Sequence, residues 1–314
     1  MSKIVTREEI QRALDKIDVV PAIEEGFILY SRGKTVVPPV GELLFEKPRA
    51  DVHIKYGYIK DDDYYLIKIA SGFYENPQLG LPPMNGLMLL FSQKTGELLG
   101  VLLDEGLLTN VRTAGAGAVV AKYFAPKKIS RVGILGAGTQ GRMQLEYLRK
   151  VMVFKDVIVW GINVSELAAY KKDMEPRGFH IETTLDAGDV AARSNLIVTC
   201  TPSTRPLLRA DQIRPGTHIT AMGSDTTEKQ ELEADVLKKA DRVIVDSISQ
   251  GMLRGETYQA MKAGAIGKEK LVELGAAIVN KKLHRQSEQE ITVVDLTGVA
   301  VQDIQIAKAV WRAL

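Results

Sequence analysis

The stretch that decides the fold reads Arg131, Val132, Gly133, Ile134, Leu135, Gly136, Ala137, Gly138, Thr139, Gln140, Gly141. Residues 132–135 form a short apolar run, a glycine turn follows at once, and a helical pattern then covers 140–153. In a strand-turn-helix unit of this kind each glycine has its own task. The first permits a tight turn, the second lets a pyrophosphate approach the backbone, and the third lets helix and strand pack closely. Free N–H groups and the helix dipole favour negative charge at the helix start. The stretch therefore predicts a dinucleotide site with Gly136, Gly138, Thr139, Gln140 and Gly141 among its contacts.

Towards the C-terminus, further apolar runs at 157–160, 196–200, 218–222 and 242–245 alternate with helical patterns. Such alternation predicts a parallel sheet covered on both faces. The texture changes at Ala125, Pro126, Lys127, Lys128, so a Rossmann-type, doubly wound domain is expected over 125–300. Towards the N-terminus, Thr6 and Glu9 match a capping box and open a short helix. A second helix is expected over 21–31, then β-rich runs at 52–58, 65–70 and 87–91 divided by turns at 61–63 and 76–83. The Ala-rich segment 107–124 predicts a helix with Arg112 near its start, and 304–314 a last helix that packs back onto the first domain. The fold class is thus α/β, a Rossmann-type sheet plus an α+β domain made of 1–124 with 301–314. Gly115 and Gly117 follow no strand, and close helix packing explains them better than a second phosphate turn.

A chain of 314 residues is long enough for two such domains. Its 41 basic and 39 acidic residues leave a formal charge of +2, too balanced for a nucleic-acid partner. The only cysteine, Cys200, ends an apolar run and reads as a buried, inert thiol rather than part of a disulfide framework. Met1, Ser2, Lys3, Ile4 begin no apolar signal core, and no stretch reaches the roughly 18 apolar residues of a membrane span, so a cytoplasmic protein is expected. His180, His218 and His284 show no ligand spacing, and no metal is expected.

After the second strand of the dinucleotide unit, Trp160 is followed by Gly161, Ile162 and Asn163. A carboxylate there would bind an adenosine ribose 2′-hydroxyl and repel a 2′-phosphate; its absence removes the barrier to NADP. No arginine stands at the turn, but Asn163 and Ser165 can donate hydrogen bonds and Lys171 and Lys172 are expected nearby. The cofactor reads as NAD or NADP, with a lean to NADP.

Four blocks of sequence resemble the ornithine cyclodeaminase and mu-crystallin family: Ile67, Lys68, Ile69; Val111, Arg112, Thr113, Ala114; the glycine turn; and Gly223, Ser224, Asp225 with Lys229, Gln230, Glu231, Leu232. Asp295, Leu296, Thr297, Gly298 and Gln302, Asp303 extend the resemblance over nearly the whole chain. It implies a Rossmann domain joined to a substrate-binding and dimerisation domain, an active site in the cleft between them, and a homodimer. The family's chemistries include cyclodeamination of ornithine or lysine, alanine dehydrogenation and imine reduction.

Carried over residue by residue, Arg112 would hold the substrate carboxylate with its planar fork and Lys68 would add a second cation. Asp225 matches the catalytic aspartate that handles the amino or iminium nitrogen, and further cofactor contacts are expected at Thr201, Pro202, Ser203, Met222, Gly223 and Val299. Plainer readings stand beside these: a lysine snorkelling from a strand for Lys68, a surface ion pair for Arg112, a cap on the helix holding Leu232 for Asp225. Two departures bear on substrate. Where the family often has an arginine after a Pro-Pro pair, this chain has Pro38, Pro39, Val40, Gly41. Where ornithine enzymes place a glutamate for the distal ammonium, it has His53, with Lys55 two residues on and so on the same strand face. A cationic pair repels a distal ammonium and attracts a distal carboxylate.

The run 51–55 with 80–86 is similar to the branch holding iminosuccinate reductases and ectoine-utilisation proteins, and there Asn85 would reach the substrate; a turn-end asparagine is the alternative. The leading expectation is an NAD(P)-dependent reductase of a small imino acid, or L-amino acid dehydrogenase, of iminosuccinate or alanine type. The alternatives are an ornithine cyclodeaminase with tightly bound NAD, and a non-catalytic, mu-crystallin-like ligand-binding protein.

Overall fold

The computed structural model describes residues 2–314. It divides into two compact units, one running to Arg112 and completed by Val299–Leu314, the other Thr113–Gly298.

In the first unit a seven-stranded sheet is built from β1 (Lys3–Val5), β2 (Thr35–Val36), β3 (Gly41–Phe45), β4 (Ala50–Ile59), β5 (Tyr64–Phe73), β6 (Met84–Ser92) and β7 (Leu98–Leu102). β4, β5, β6 and β7 form an antiparallel meander; the first three match the hairpin-like runs, while β7 lies beyond them. β1 adds in parallel to β7, while β2 and β3 both pair with β4. These three short strands are too brief or too exposed to carry a sequence pattern. The capping box closes as expected, with Glu9 N–H on Thr6 Oγ1 and Thr6 N–H on Glu9 Oε2. The second helix is Val19–Ser31, two residues longer than read, because the Asp18 carboxylate caps Val20 and Pro21 then sits in the first turn, where no N–H partner is lost.

Period-two alternation sends Leu66, Lys68 and Ala70 to the covered face of β5 and His53 and Lys55 to that of β4, while Tyr56 and Tyr58 stay exposed. The cover is the C-terminal helix Ala300–Ala313, which packs on β4, β5 and helix Val19–Ser31. Val301, Ile304, Ala307 and Val310 supply its apolar stripe.

In the second unit all eight strands are parallel: β8 (Val132–Leu135), β9 (Asp156–Trp160), β10 (His180–Thr184), β11 (Leu196–Thr199), β12 (His218–Ala221), β13 (Arg242–Val245), β14 (Leu271–Glu273) and β15 (Thr292–Asp295). Their order is β10-β9-β8-β11-β12-β15-β13-β14. The chain winds outward through β9 and β10 and then returns to the other side of β8. The direction reverses between β8 and β11, and in such sheets ligands sit at the carboxyl ends of the strands flanking that point. Helix Thr139–Leu148 follows the glycine turn and stops five residues short of the expected 153, since beyond Leu148 no buried face remains and Val153 is exposed. Gly117 lies in helix Leu107–Phe124, where a Cβ would collide with the Gln144 side chain, so close packing is indeed its role. Cys200 is half-buried with its thiol against the Leu135 carbonyl, and burial pushes the thiol far above its ordinary pKa. Among the described residues, no helix is long and apolar enough to cross a membrane.

Candidate functional site

At the end of β8, Gly136 has φ +120, a conformation side chains rarely adopt. A Cβ on Gly141 would collide with the Gly136 carbonyl, so helix and turn touch. Gly138 is the N-cap of helix Thr139–Leu148, no side chain caps that helix, and a Cβ there would meet nothing within 4 Å. Open space in front of uncapped helix N–H groups suits a dinucleotide pyrophosphate. Thr139 and Gln140 form the first turn, with Gln140 Oε1 accepting from Gln144 Nε2 at 3.3 Å.

After β9, Asn163 caps helix Val164–Met174: its Oδ1 accepts from Ser165 N–H at 2.8 Å and Ser165 Oγ at 2.7 Å. Lys171 and Lys172 lie in the last turn of that helix, and Lys171 pairs with Glu175. At 1.5 Å per residue they stand about 12 Å along the axis from the turn, which corrects the expectation that they lie beside it.

Thr201, Pro202 and Ser203 follow β11; Met222, Gly223, Ser224 and Asp225 follow β12. A fully buried carboxylate ties the two turns together. Glu231 Oε1 accepts from the Thr201 N–H (2.6 Å) and hydroxyl (2.7 Å), and Oε2 from the Thr199 hydroxyl (2.7 Å) and Gly223 N–H (3.0 Å). Burial raises the Glu231 pKa to about 7, against the pull of these four donors. The Thr201 hydroxyl is thereby engaged by protein. Ser203 Oγ donates to the Arg205 carbonyl, and Gln230 N–H donates to Ser203 O. Asp225 Oδ1 accepts from Lys229 Nζ at 2.7 Å, and Arg254 Nη1 donates to the Asp225 carbonyl at 3.2 Å. No helix spans 223–233, and Leu232 bridges to Leu208 in an extended segment, so the helix-capping reading of Asp225 falls.

In the first unit the predicted cations gather on one covered sheet face. Lys55 and Lys68 are directly opposite across β4 and β5, and both are buried. Lys68 Nζ and Arg112 Nε each lie 3.1 Å from the same atom, Oδ1 of Asp303, which is 0% exposed. Arg112 Nη1 also donates to Gln302 Oε1 at 3.0 Å. Neither the snorkelling nor the surface-pair reading survives, since Lys68 is 2% and Arg112 7% exposed. Burial lowers the proton affinity of Lys68 and Asp303 opposes that change. Burial works against the Asp303 carboxylate too, but Lys68, Arg112 and Lys55 outweigh it and hold the carboxyl below its ordinary range.

Nearby, Asp104 is buried, its carboxyl raised by that burial, and it accepts from Leu108 N–H at the start of helix Leu107–Phe124. His53 Nε2 lies 3.0 Å from Glu42 Oε1 on β3. Asn85 lies within β6, exposed, with its Oδ1 accepting from Gly86 N–H, rather than at a turn end. Val299 is the buried N-cap of the C-terminal helix.

The reading of the sequence assigned no role to Asp303, Gln302, Asp104 or Glu231. A signal existed for the first two, because Gln302 and Asp303 fall among the apolar residues of a helix whose first eight positions are all buried.

The ornithine cyclodeaminase/mu-crystallin family pattern matches residues 1–314. An uncharacterized cyclodeaminase of Sinorhizobium fredii is 37% identical over 314 residues, covering 99% of this chain and 95% of the relative. An NAD-bound archaeal alanine dehydrogenase dimer superposes with a TM-score of 0.89 at 34% identity, covering 99% of this chain and 95% of the other. The iminosuccinate reductase of Paracoccus denitrificans, solved with NAD+, gives 0.86 at 31%, covering 99% and 96%. The chain belongs to the ornithine cyclodeaminase/mu-crystallin family.

Proposed function

We propose that the chain is an NAD-dependent reductase of a small imino acid, working in reverse as an L-amino acid dehydrogenase, and that its preferred substrate is a dicarboxylic imino acid of the iminosuccinate type. The observation that carries this reading is the cluster of Lys55, Lys68 and Arg112 around the single carboxylate Asp303. Lys68 and Arg112 both lie 3.1 Å from that carboxylate, and Lys55 stands opposite Lys68 on the same face. Buried cations so placed suit an anionic substrate, and the guanidinium of Arg112 suits a carboxylate. Lys55 and Lys68 also disfavour an ammonium-bearing side chain such as that of ornithine.

In this reading Arg112 and Lys68 receive the α-carboxylate and His53 and Lys55 the distal one. The nicotinamide supplies the hydride when bound. Asp225 exchanges the proton at the substrate nitrogen, and its charge stabilises the C=N cation. NAD is favoured over NADP because Gly161, Ile162 and Asn163 offer no basic side chain to a 2′-phosphate and the two lysines stand far down the helix. A homodimer is supported by the exposed apolar residues Leu43, Leu44 and Phe45 on β3 and Tyr56 and Tyr58 on β4.

The test is NADH and NADPH oxidation with oxaloacetate, pyruvate or glyoxylate in the presence of ammonia or methylamine. Turnover fastest with oxaloacetate and NADH is expected. Release of ammonia from ornithine with none of the acids reduced would instead make the chain a cyclodeaminase.

A further inference from the structure

Both cations assigned to the substrate α-carboxylate rest on one oxygen of one buried side chain, Asp303 Oδ1. Asp303 reaches them from the C-terminal helix, 235 residues from Lys68 in sequence. Its neighbour Gln302 is 1% exposed and accepts from Arg112 Nη1 at 3.0 Å. The Asp303 carboxylate 3.1 Å from Nε and the hydrogen bond to Gln302 together restrain the guanidinium. Lys68 gives one of its three N–H donors to Asp303. Burial alone drives an ammonium towards its neutral form, and a neutral amine is a poor partner for a carboxylate.

We propose that Asp303 is a positioning residue for carboxylate binding: it keeps Lys68 protonated in a dry site and, with Gln302, sets the plane of the Arg112 guanidinium. The inference rests on the function proposed above for this cluster. It extends that reading to a residue that does not itself meet the substrate, being fully buried behind the two cations. The charged groups acting on Lys68 are Asp303 from the C-terminal helix, Arg112 from helix Leu107–Phe124 and Asp104 just before it; Lys55 faces it across β4. Of these, Asp303 alone is within ion-pair distance of Lys68, so its removal changes the balance most.

The decisive variant is Asp303→Asn, which keeps shape and removes charge. Two readouts are taken on the full-length protein. The first is KM and kcat for the imino acid between pH 6.5 and 9. The expected result is a KM raised about tenfold or more at neutral pH and climbing further with pH, while kcat changes by less than about threefold, because ground-state carboxylate binding is what is lost. A KM that stays flat with pH, or a fall in kcat with KM unchanged, would overturn the proposal.

The second readout needs no substrate: NMR of 13C-labelled lysine follows the Cε signal of Lys68, assigned through Lys68→Arg, as pH is raised. In Asp303→Asn that signal should titrate at clearly lower pH than in the wild type; an unchanged titration sinks the idea. If no imino acid is turned over, the functional reading fails and this arm still decides the role of Asp303. Should Asp303→Asn not fold, Asp303→Glu takes its place. It keeps the charge but adds a methylene, and should leave the Lys68 titration as in the wild type while raising KM; a Lys68 signal shifted as far as loss of the carboxylate would require contradicts the proposal.

Discussion

Lys229 Nζ sits 2.7 Å from Asp225 Oδ1, four residues away, so the candidate proton-transfer group is held by a cation. Arg254 Nη1 donates to the Asp225 backbone carbonyl and so helps hold the segment that carries it. Asp225→Asn should cut kcat by about 10² to 10⁴-fold in either direction while NADH binding persists. Lys229→Gln removes that cation and should lower kcat by about tenfold while NADH affinity is little changed; a kcat as in the wild type would assign Lys229 to structure alone.

Glu231 braces the turns after β11 and β12, and each of its oxygens faces one backbone N–H and one hydroxyl. Glu231→Gln cannot satisfy this arrangement, since whichever oxygen becomes an amino group then points at the N–H of Thr201 or Gly223. A loss of about 2–4 kcal/mol in unfolding free energy is expected from denaturant titration. The wild-type protein should also show a pH signature. Burial raises Glu231 and Asp295 to about 7 each. A group whose pKa is raised on folding contributes stability that is complete below its unfolded value and is lost as pH climbs through the folded one. The thermal midpoint should therefore fall between pH 5 and pH 8, and a midpoint that rises over that span would contradict the assignment.

Cofactor choice turns on residues 161–163. Ile162 is 83% exposed and free of any capping duty, unlike Asn163. Ile162→Arg adds a guanidinium where a 2′-phosphate would lie without disturbing the helix start. The ratio of kcat/KM for NADPH over NADH should rise about tenfold or more in the variant. A wild-type enzyme already faster with NADPH would refute the preference for NAD.

The parallel core was legible because strands buried on both faces read as largely apolar runs, as β8, β9, β11 and β13 do, and β12 joined them although His218 and Thr220 interrupt it. β10 escaped notice because its sequence, His180–Thr184, is polar and largely exposed at the sheet edge. β14 has only three residues, and β15 ends in a buried aspartate that breaks its apolar run. The site divides in the same way. The glycine turn is local, so spacing reveals it. The partnership of Lys68 and Arg112 with Asp303 spans most of the chain and depends on which helix covers which sheet face. Spacing carries no trace of that; only the misplaced charge on a buried helix hints at it.

Two glycine substitutions in the same unit should separate stability from cofactor binding. At Gly117 a Cβ would run into the Gln144 side chain, itself fully buried between the Thr113 carbonyl and Met222. Neither the helix backbone nor a buried glutamine can give way freely, so Gly117→Ala should lower stability by about 1–3 kcal/mol through overpacking, with NADH affinity per folded molecule little changed. Gly138 is the reverse case. Its φ of −82 suits any residue and its Cβ would meet nothing, so Gly138→Ala should leave the thermal midpoint within a degree or two, as expected of a change that strains no contact. The added methyl would stand where a pyrophosphate must approach the turn, and NADH affinity should drop about tenfold or more in a fluorescence titration. If Gly138→Ala bound NADH as the wild type does, the glycine turn would not be the pyrophosphate site, and the cofactor reading of this unit would fail with it.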